Sequence, residues 1–256
     1  AIINFITCGI FSDNIILPLL IVGSTDGQEP LTSTCENKIK KLANIDMEDP
    51  ELIDNLFELY TGKKNRRTPI SVNLKVKIIY YLTKSRLAAN KGESTKDVLV
   101  DSLFSEFAAH KLKVSGMQFL IHILNEGKVE NTESFAKDIF ILLIDSINKL
   151  SGASSANLSE FSIIQTMKEN FYTALGSMAK KFPQFVRDKF YIVKLYFDGL
   201  VKEEPRVKIA IQQGLSSLID AYKNPDQELQ SNFETLFLKI VLEPNRNSHA
   251  VSAVLR

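Results

Sequence analysis

Apolar residues recur at helical spacing along nearly the whole chain, and no stretch keeps the two-residue alternation of a half-buried β-strand for long. This pattern predicts an all-α protein. In segment 205–222 the apolar residues form a face wider than one partner helix can cover. They are Val207, Ile209, Ile211, Leu215, Leu218, Ile219 and Tyr222. Because only a neighbour on each side buries such a face, the pattern favours an α-solenoid of stacked helical hairpins.

Capping side chains that precede a proline mark two helix starts, at Asp49-Pro50 and Asn224-Pro225. Ser94 followed by Asp97 is a weaker start of the capping-box kind. Breaker residues in the connections indicate where helices end. The predicted helices span 12–22, 31–44, 50–61, 71–89, 94–108, 110–125, 132–150, 160–181, 184–201, 205–222, 226–242 and 246–256. They form six antiparallel pairs.

A faint internal repeat supports this pairing. The second helices of several pairs open alike, and Val76 precedes Val114 by 38 residues while Met167 precedes Val207 by 40. Two helices per unit at about this period are typical of HEAT-like repeats. The whole of 1–256 is therefore interpreted as one right-handed superhelical segment of five to six hairpins. A flexible insertion is expected near 151–158, where Ser, Gly, Ala and Asn are concentrated.

Composition excludes several classes of partner. Lys plus Arg (31) nearly cancels Asp plus Glu (30), which disfavours a nucleic acid or an anionic membrane as the main partner. The apolar run 15–22 is too short to cross a bilayer, which takes about 20 residues, so no membrane insertion is expected. The two cysteines, Cys8 and Cys35, are interpreted as buried, inert thiols in a reducing compartment.

No pattern of catalytic or metal-binding residues emerges. His110, His122 and His249 fall on different predicted hairpins without the spacing of metal ligands. His122 lies in an apolar run and is interpreted as a satisfied core or groove residue. The paired carboxylates sit at helix starts, where the helix dipole favours negative charge. The sequence therefore predicts no enzyme, no metal and no cofactor, whereas an enzyme would need a deep pocket with convergent polar groups.

One charged feature stands apart, a loop bounded by Gly62 and Pro69 that holds four cations within five residues. They are Lys63, Lys64, Arg66 and Arg67. A solvated connection, a partner-docking patch and a nuclear-import-like signal are all open interpretations.

The run V-K-E-E-P-R-V-K-I-A-I-Q-Q-G-L-S-S-L-I-D-A-Y at 201–222 resembles the family of large HEAT-repeat proteasome adaptors and scaffolds, first named as an extracellular mutant component of the proteasome. Similar segments follow the same order: I-D-M-E-D-P-E-L-I at 45–53, L-Y-T-G at 59–62 and V-K-I-I-Y-Y-L-T-K-S-R-L-A-A at 76–89. The family-like signature residues are Lys202, Glu203, Glu204, Pro205, Ala210, Ile211 and Gln212.

The resemblance implies a cytoplasmic and nuclear scaffold that binds the 26S proteasome and bridges or stabilises its core and regulatory particles. It also implies a role in assembly quality control and, in animals, a link to membranes and motors. It supplies no catalytic motif. The alternative is another HEAT scaffold, such as an importin-like transport receptor or a phosphatase subunit. The uncapped apolar start at Ala1 and the apolar face of the last helix lead us to expect a piece of a longer solenoid.

Overall fold

The computed structural model describes residues 11–62, 71–151, 157–187, 189–218, 221–223, 226–242 and 248–254. These residues form helices and turns without a strand, which confirms the all-α prediction. The helices are α1 (Asp13–Gly23), α2 (Leu31–Ile39), α3 (Pro50–Thr61), α4 (Val72–Leu82), α5 (Glu93–Leu99), α6 (His110–Glu126), α7 (Val129–Ser151), α8 (Leu158–Lys181), α9 (Phe190–Lys202), α10 (Pro205–Leu218), α11 (Gln227–Leu242) and α12 (Ser248–Val254). A π-helical turn, Val100–Phe104, continues α5.

The chain divides into two compact units, residues 1–132 and residues 133–256. In unit 1, the hairpins α1/α2, α3/α4 and α5/α6 stack in two layers. One layer contains α1, α3 and α5, in which α3 contacts both neighbours. The other contains α2, α4 and α6, in which α4 packs on α6 and Lys77 joins α4 to α2. Cys35 of α2 is buried in this unit, and burial raises the pKa of its thiol.

In unit 2, α8 packs most extensively against α10, and α9 contacts α10, α11 and α12. The predicted pairs α9/α10 and α11/α12 are confirmed, as are the three pairs of unit 1. The pairing of α7 with α8 stays a prediction. So do the number of repeats and the right-handed sense.

Polar contacts between equivalent helices of successive hairpins recur at sequence separations of 35 to 41 residues. This range includes the spacing of 38 to 40 residues read from the sequence. The pairs are Asn14 with Asp49, Glu36 with Lys77, Tyr60 with Asp101, Asn73 with Lys111, Ser85 with His122 and Glu169 with Arg206. These contacts tie each hairpin of unit 1 to the next, and in unit 2 they tie α8 to α10.

Four predicted helices are too long. Helix 94–108 ends with the π-helical turn at Phe104, because the backbone is extended at Ser105. In the next two, tertiary contacts capture amides beyond the observed end. Helix 31–44 ends at Ile39, and the side chain of Asp13 accepts a hydrogen bond from the Asn44 amide (3.0 Å). Helix 71–89 ends at Leu82, and the Glu48 carboxylate accepts from the amides of Arg86 and Leu87 (2.6 and 2.9 Å).

Helix 184–201 begins only at Phe190, because the preceding residues form a separate 3₁₀ turn, Pro183–Phe185. Phe182 and Val186, which flank that turn, are completely buried. The Phe182 and Phe185 rings stack with centroids 5.6 Å apart. Core packing thus holds this segment in a turn that helical periodicity alone does not reveal.

Of the three predicted helix starts, one is confirmed, one is corrected and one lies outside the described residues. Asp49 caps α3 as predicted, accepting from the Glu51 amide at 2.9 Å. Ser94 instead lies inside α5, which begins at Glu93 after Gly92, a residue with a positive φ of 55°. Asn224 and Pro225 lie outside the described residues, and Asp226 provides the side-chain cap of α11 through the Leu229 amide (2.8 Å).

Candidate functional site

The predicted basic loop, Lys63, Lys64, Arg66 and Arg67, lies outside the described residues, and so does most of the expected insertion near 151–158. The residues that border the loop are described. Gly62 ends α3 in the left-handed region (φ 73°), and Ser71 caps α4 by accepting from the Leu74 amide at 3.2 Å. The loop therefore connects a closed helix end to a capped helix start within one hairpin.

The family-like signature lies at the junction of α9 and α10. Lys202, Glu204 and Pro205 are exposed, Glu203 and Gln212 are half-buried, and Ala210 and Ile211 are buried. Glu203 accepts two hydrogen bonds from Lys168 Nζ of α8, at 3.1 and 2.8 Å. The two side chains retain only 10% and 11% of their exposure. This part of the signature therefore forms a buried ion pair between α8 and the junction of α9 and α10.

Three glycines, one on each of α8, α9 and α10, lie in a seam where these helices pack closely together. A Cβ atom on Gly176 would lie 2.9 Å from the Cα atom of Gly214. A Cβ on Gly199 would lie 2.6 Å from the Tyr172 hydroxyl, and one on Gly214 would lie 2.6 Å from the Tyr196 ring. No side chain fits at these three positions without a shift of its neighbours.

Two buried tyrosines fill the seam beside these glycines. The Tyr196 hydroxyl donates to the Tyr172 carbonyl oxygen at 2.7 Å, and the rings meet edge to face at 5.2 Å. Burial raises the pKa of both phenols. We call Gly176, Gly199, Gly214, Tyr172 and Tyr196 the glycine–tyrosine seam. Sequence periodicity missed it, because it depends on residues from three helices.

The histidines do not form a site. His122 is half-buried, its Nε2 lies 2.8 Å from the Ser85 carbonyl oxygen, and its ring stacks on Phe119. These contacts give it a structural role between hairpins. His110 is exposed at the start of α6, and the side chain of His249 lies outside the described residues. Within the described ranges, no group of three or more His, Cys, Asp or Glu side chains is placed to hold a metal ion.

A cleft of about 320 Å³ opens in unit 2 between α9, α10, α11 and α12. Four aromatic rings line it, from Phe197, Tyr222, Phe233 and Phe237. The polar lining comes from Gln212, Ser216, Ser252 and the Tyr222 hydroxyl, which donates to the Lys189 carbonyl oxygen at 3.0 Å. No carboxylate, imidazole or amine is among the described lining residues. Such a lining is suited to apolar contact and does not resemble an acid–base site.

Charge is divided between the two layers of unit 1. Helices α1, α3 and α5, with the π-helical turn, carry seven carboxylates and one lysine, whereas α2, α4 and α6 carry five lysines and two glutamates. The same division of charge is present along the sequence. Residues 42–58 contain six Asp or Glu and no Lys or Arg, and residues 59–92 contain nine Lys or Arg and no Asp or Glu.

Some of these cations are neutralised within unit 1. Lys75 and Lys91 reach across to Asp101 and Asp54 of the acidic layer, at 2.7 and 2.6 Å. Within the basic layer, Lys77 pairs with Glu36 and Arg86 with Glu126, both at 2.9 Å. Six others have no carboxylate oxygen within 4 Å in the described part of the chain: Lys38, Lys40, Lys41, Lys84, Lys111 and Lys113.

The exposed members of this group share a helix layer with an exposed tyrosine on α4. Tyr80 keeps 54% of its exposure, and Lys84 Nζ lies 4.1 Å from the centre of its ring. Lys111, on the neighbouring α6, lies 3.4 Å from the Asn73 side-chain oxygen of α4. Lys40 and Lys41 follow the end of α2 in the same layer. We call the exposed residues Lys40, Lys41, Tyr80, Lys84 and Lys111 the basic face.

No helix among the described residues is long and apolar enough to span a bilayer. Comparison with known proteins then gives a consistent result. The chain is 25% identical over 239 residues to the human proteasome adapter and scaffold protein ECM29, covering 88% of the chain and 12% of that protein. It is 24% identical over 251 residues to the fruit-fly proteasome-associated protein ECM29 homolog, covering 93% of the chain and 13% of that protein.

The chain thus spans about one eighth of the length of these relatives. No solved structure matches it. The family model described as proteasome component ECM29, N-terminal, matches residues 1–255. This confirms the resemblance noted in the sequence at 201–222. The chain therefore belongs to the ECM29 N-terminal family of proteasome components.

Proposed function

We propose that this chain is part of a non-catalytic adaptor that binds the 26S proteasome and bridges or stabilises its core and regulatory particles. The observation that carries the proposal is the family match over residues 1–255, together with relatives that are named as a proteasome adapter and scaffold. We further propose that the protein works in the cytoplasm and the nucleus, where it would bind the proteasome.

The described surfaces are suited to binding. Unit 1 has two layers of opposite charge, and unit 2 has an aromatic cleft with uncharged polar groups at its lining. Charge of one sign on a face steers association and selects a complementary partner. Aromatic side chains are enriched at the centres of protein interfaces. An adaptor needs such features and does not need a closed pocket.

Affinity capture tests the binding. The complete protein that contains this chain carries a tag, and captured subunits are identified by mass spectrometry at low salt. We expect subunits of both the core and the regulatory particle. Recovery of neither would overturn the proposed function. Capture of the small GTPase Ran in their place would favour a transport receptor.

Bridging is tested separately, with purified core and regulatory particles. Their association is measured by analytical ultracentrifugation with and without the complete protein. We expect the associated fraction to rise. If both particles bind the protein and the fraction stays the same, the adaptor role stands and the bridging role is wrong.

The basic loop is also proposed to contribute to docking. Replacing Lys63, Lys64, Arg66 and Arg67 by Ser should leave the circular-dichroism signal and the melting temperature unchanged, because exposed charges contribute little to folding. Association with the proteasome should slow at low salt, and the difference should shrink above ~0.15 M, where the Debye length is about 8 Å. Equal rates for the variant and the wild type would make the loop a solvated connection. Loss of nuclear fluorescence from a tagged variant would instead favour an import signal.

A further inference from the structure

We propose that the basic face of unit 1 receives an acidic protein segment of the proteasome, with Tyr80 and Lys84 of α4 as the central contact and with Lys40, Lys41 and Lys111 contributing from α2 and α6 of the same layer. The proposal rests on the proposed function for the identity of the partner. The surface itself follows from the charges, exposure and contacts of the described residues.

Stability does not account for all of these cations. Lys40, Lys41 and Lys84 follow the ends of α2 and α4, where the helix dipole favours positive charge. Lys111 lies in the first turn of α6, where the dipole disfavours it. Its one described polar contact is a 3.4 Å approach to the neutral Asn73 side chain. A cation that gains little stability within its own fold, on a predominantly basic face, points to a complementary charge on a partner.

Tyr80 supplies the apolar part of the surface. The equivalent helices α4 and α6 are held in register by Asn73 with Lys111 and by Ser85 with His122, at separations of 38 and 37 residues. This register sets the exposed Tyr80 opposite Gln118, which is also exposed. Lys84 lies over the Tyr80 ring and restricts it. Tyrosine is enriched among interface hot-spot residues, and restraint of its ring reduces the conformational entropy lost on binding.

The charge pattern favours a protein over a nucleic acid or a lipid surface. The six cations without a carboxylate partner are spread over three helices and their ends, whereas duplex DNA presents a charge every ~1.7 Å along its axis. A compact acidic patch with an apolar centre matches both the sparse charges and Tyr80.

The test uses the complete protein and purified 26S proteasome. One variant changes Lys40, Lys41, Lys84 and Lys111 to Gln. The matched control changes Lys149, Lys180, Lys194 and Lys239 of unit 2 to Gln, which alters the net charge equally at exposed positions. At ~0.05 M salt we expect the basic-face variant to associate about tenfold more slowly than the control, because steering changes association rates by this factor or more. The gap should narrow as salt rises.

A second pair of variants tests the central contact. Tyr80→Ala should raise the dissociation rate by about tenfold, whereas Tyr80→Phe, which keeps the ring and the contact with Lys84, should stay within about threefold of the wild type. Tyr80 is exposed, so neither substitution should change the melting temperature. Unchanged dissociation in Tyr80→Ala would overturn the central role of Tyr80.

The outcomes separate this proposal from the proposed function. If the wild type does not bind the proteasome, the proposed function fails. If it binds and the basic-face variant matches the control, only the surface assignment fails. Single-stranded RNA and phosphatidylserine vesicles are further probes. Tighter binding to either than to the proteasome, lost in the basic-face variant, would overturn the choice of a protein partner. Concentration-dependent self-association lost in that variant would replace the proteasome by a second copy.

Discussion

At the scale of single residues, the glycine–tyrosine seam sets how closely α8 and α10 approach. Glycine in a helix usually lowers stability, and replacing it by alanine usually gains about 1 kcal/mol. Gly176 should do the opposite. Its added Cβ would lie 2.9 Å from the Gly214 Cα atom, which is backbone and cannot rotate away.

Gly176→Ala should therefore lower the free energy of unfolding, by about 1–3 kcal/mol as is usual for overpacking. Ser177→Ala, at the next position of α8, improves helix propensity without filling the space at Gly214. Urea unfolding followed by circular dichroism compares the two. A gain in stability for Gly176→Ala would show that the helices do not approach as closely as described.

The buried phenols give a pH dependence with a definite sign. The pKa of Tyr196 is raised in the folded state above its unfolded value of about 10, because burial disfavours the phenolate. Its contribution to stability is complete below pH ~10 and is lost as the pH rises above that value. We expect the free energy of unfolding to fall in this alkaline range. Tyr196→Phe should flatten the fall and lose about 1 kcal/mol at neutral pH with the 2.7 Å hydrogen bond.

Ultraviolet absorbance at alkaline pH checks this directly, since the chain has seven tyrosines and no tryptophan. Part of the phenolate signal should appear only together with loss of the helical signal. If all seven tyrosines ionise before any helix is lost, the buried environment of Tyr196 is wrong.

The residues of this region also show what can and cannot be predicted from the sequence. It marked 201–222 as family-like, and it predicted that apolar residues such as Ile211 face a core. It did not reveal that Glu203 pairs with Lys168 or that Gly214 meets Gly176. Those partners lie 35 and 38 residues earlier in the chain, and hydrophobic periodicity fixes which side of a helix is buried without fixing its neighbour.

At the scale of helices, the interiors were predictable and several ends were not. The apolar period locates each helix because it reflects the face that the helix buries. The end of α4 depends instead on Glu48, which binds two amides 38 and 39 residues away. A side chain so distant in sequence leaves no local signal. The charge division between layers was present in the sequence, but its meaning required knowing which helices share a layer.

The Lys168–Glu203 ion pair joins α8 to the junction of α9 and α10, and its contribution to stability can be tested. Both side chains are about nine-tenths buried, so Glu203→Gln or Lys168→Met alone leaves a buried polar group without its partner and should cost a few kcal/mol, roughly 3–5. Lys168→Met combined with Glu203→Leu removes both groups and should recover most of the loss. A double-mutant cycle by urea unfolding measures the coupling. Additive losses would show that the two groups do not form a pair.

At the scale of the whole molecule, the chain is two compact units, each with its own core. Each helix in a stack of hairpins is stabilised mainly by contacts with its immediate neighbours. A substitution should therefore destabilise only the helices close to it. Opening of one unit then has its own free energy, which amide exchange can measure separately from that of the other.

Matched side-chain truncations in the two cores test whether the units unfold independently. Leu56 of α3 and Ile211 of α10 are both completely buried, and truncation to alanine should cost about 2–5 kcal/mol at either site. Leu56→Ala should speed amide exchange in α3 to α6 by an amount that matches its loss of stability, while α8 to α10 exchange as before. Ile211→Ala should do the reverse.

The two changes remove similar amounts of apolar side chain, so their losses of stability should be similar. A difference in which helices exchange faster then shows which part of the chain unfolds cooperatively with each site. Equal acceleration in both units by either variant would mean that the chain opens as a single cooperative body, and the stacking energy would then extend well beyond nearest neighbours.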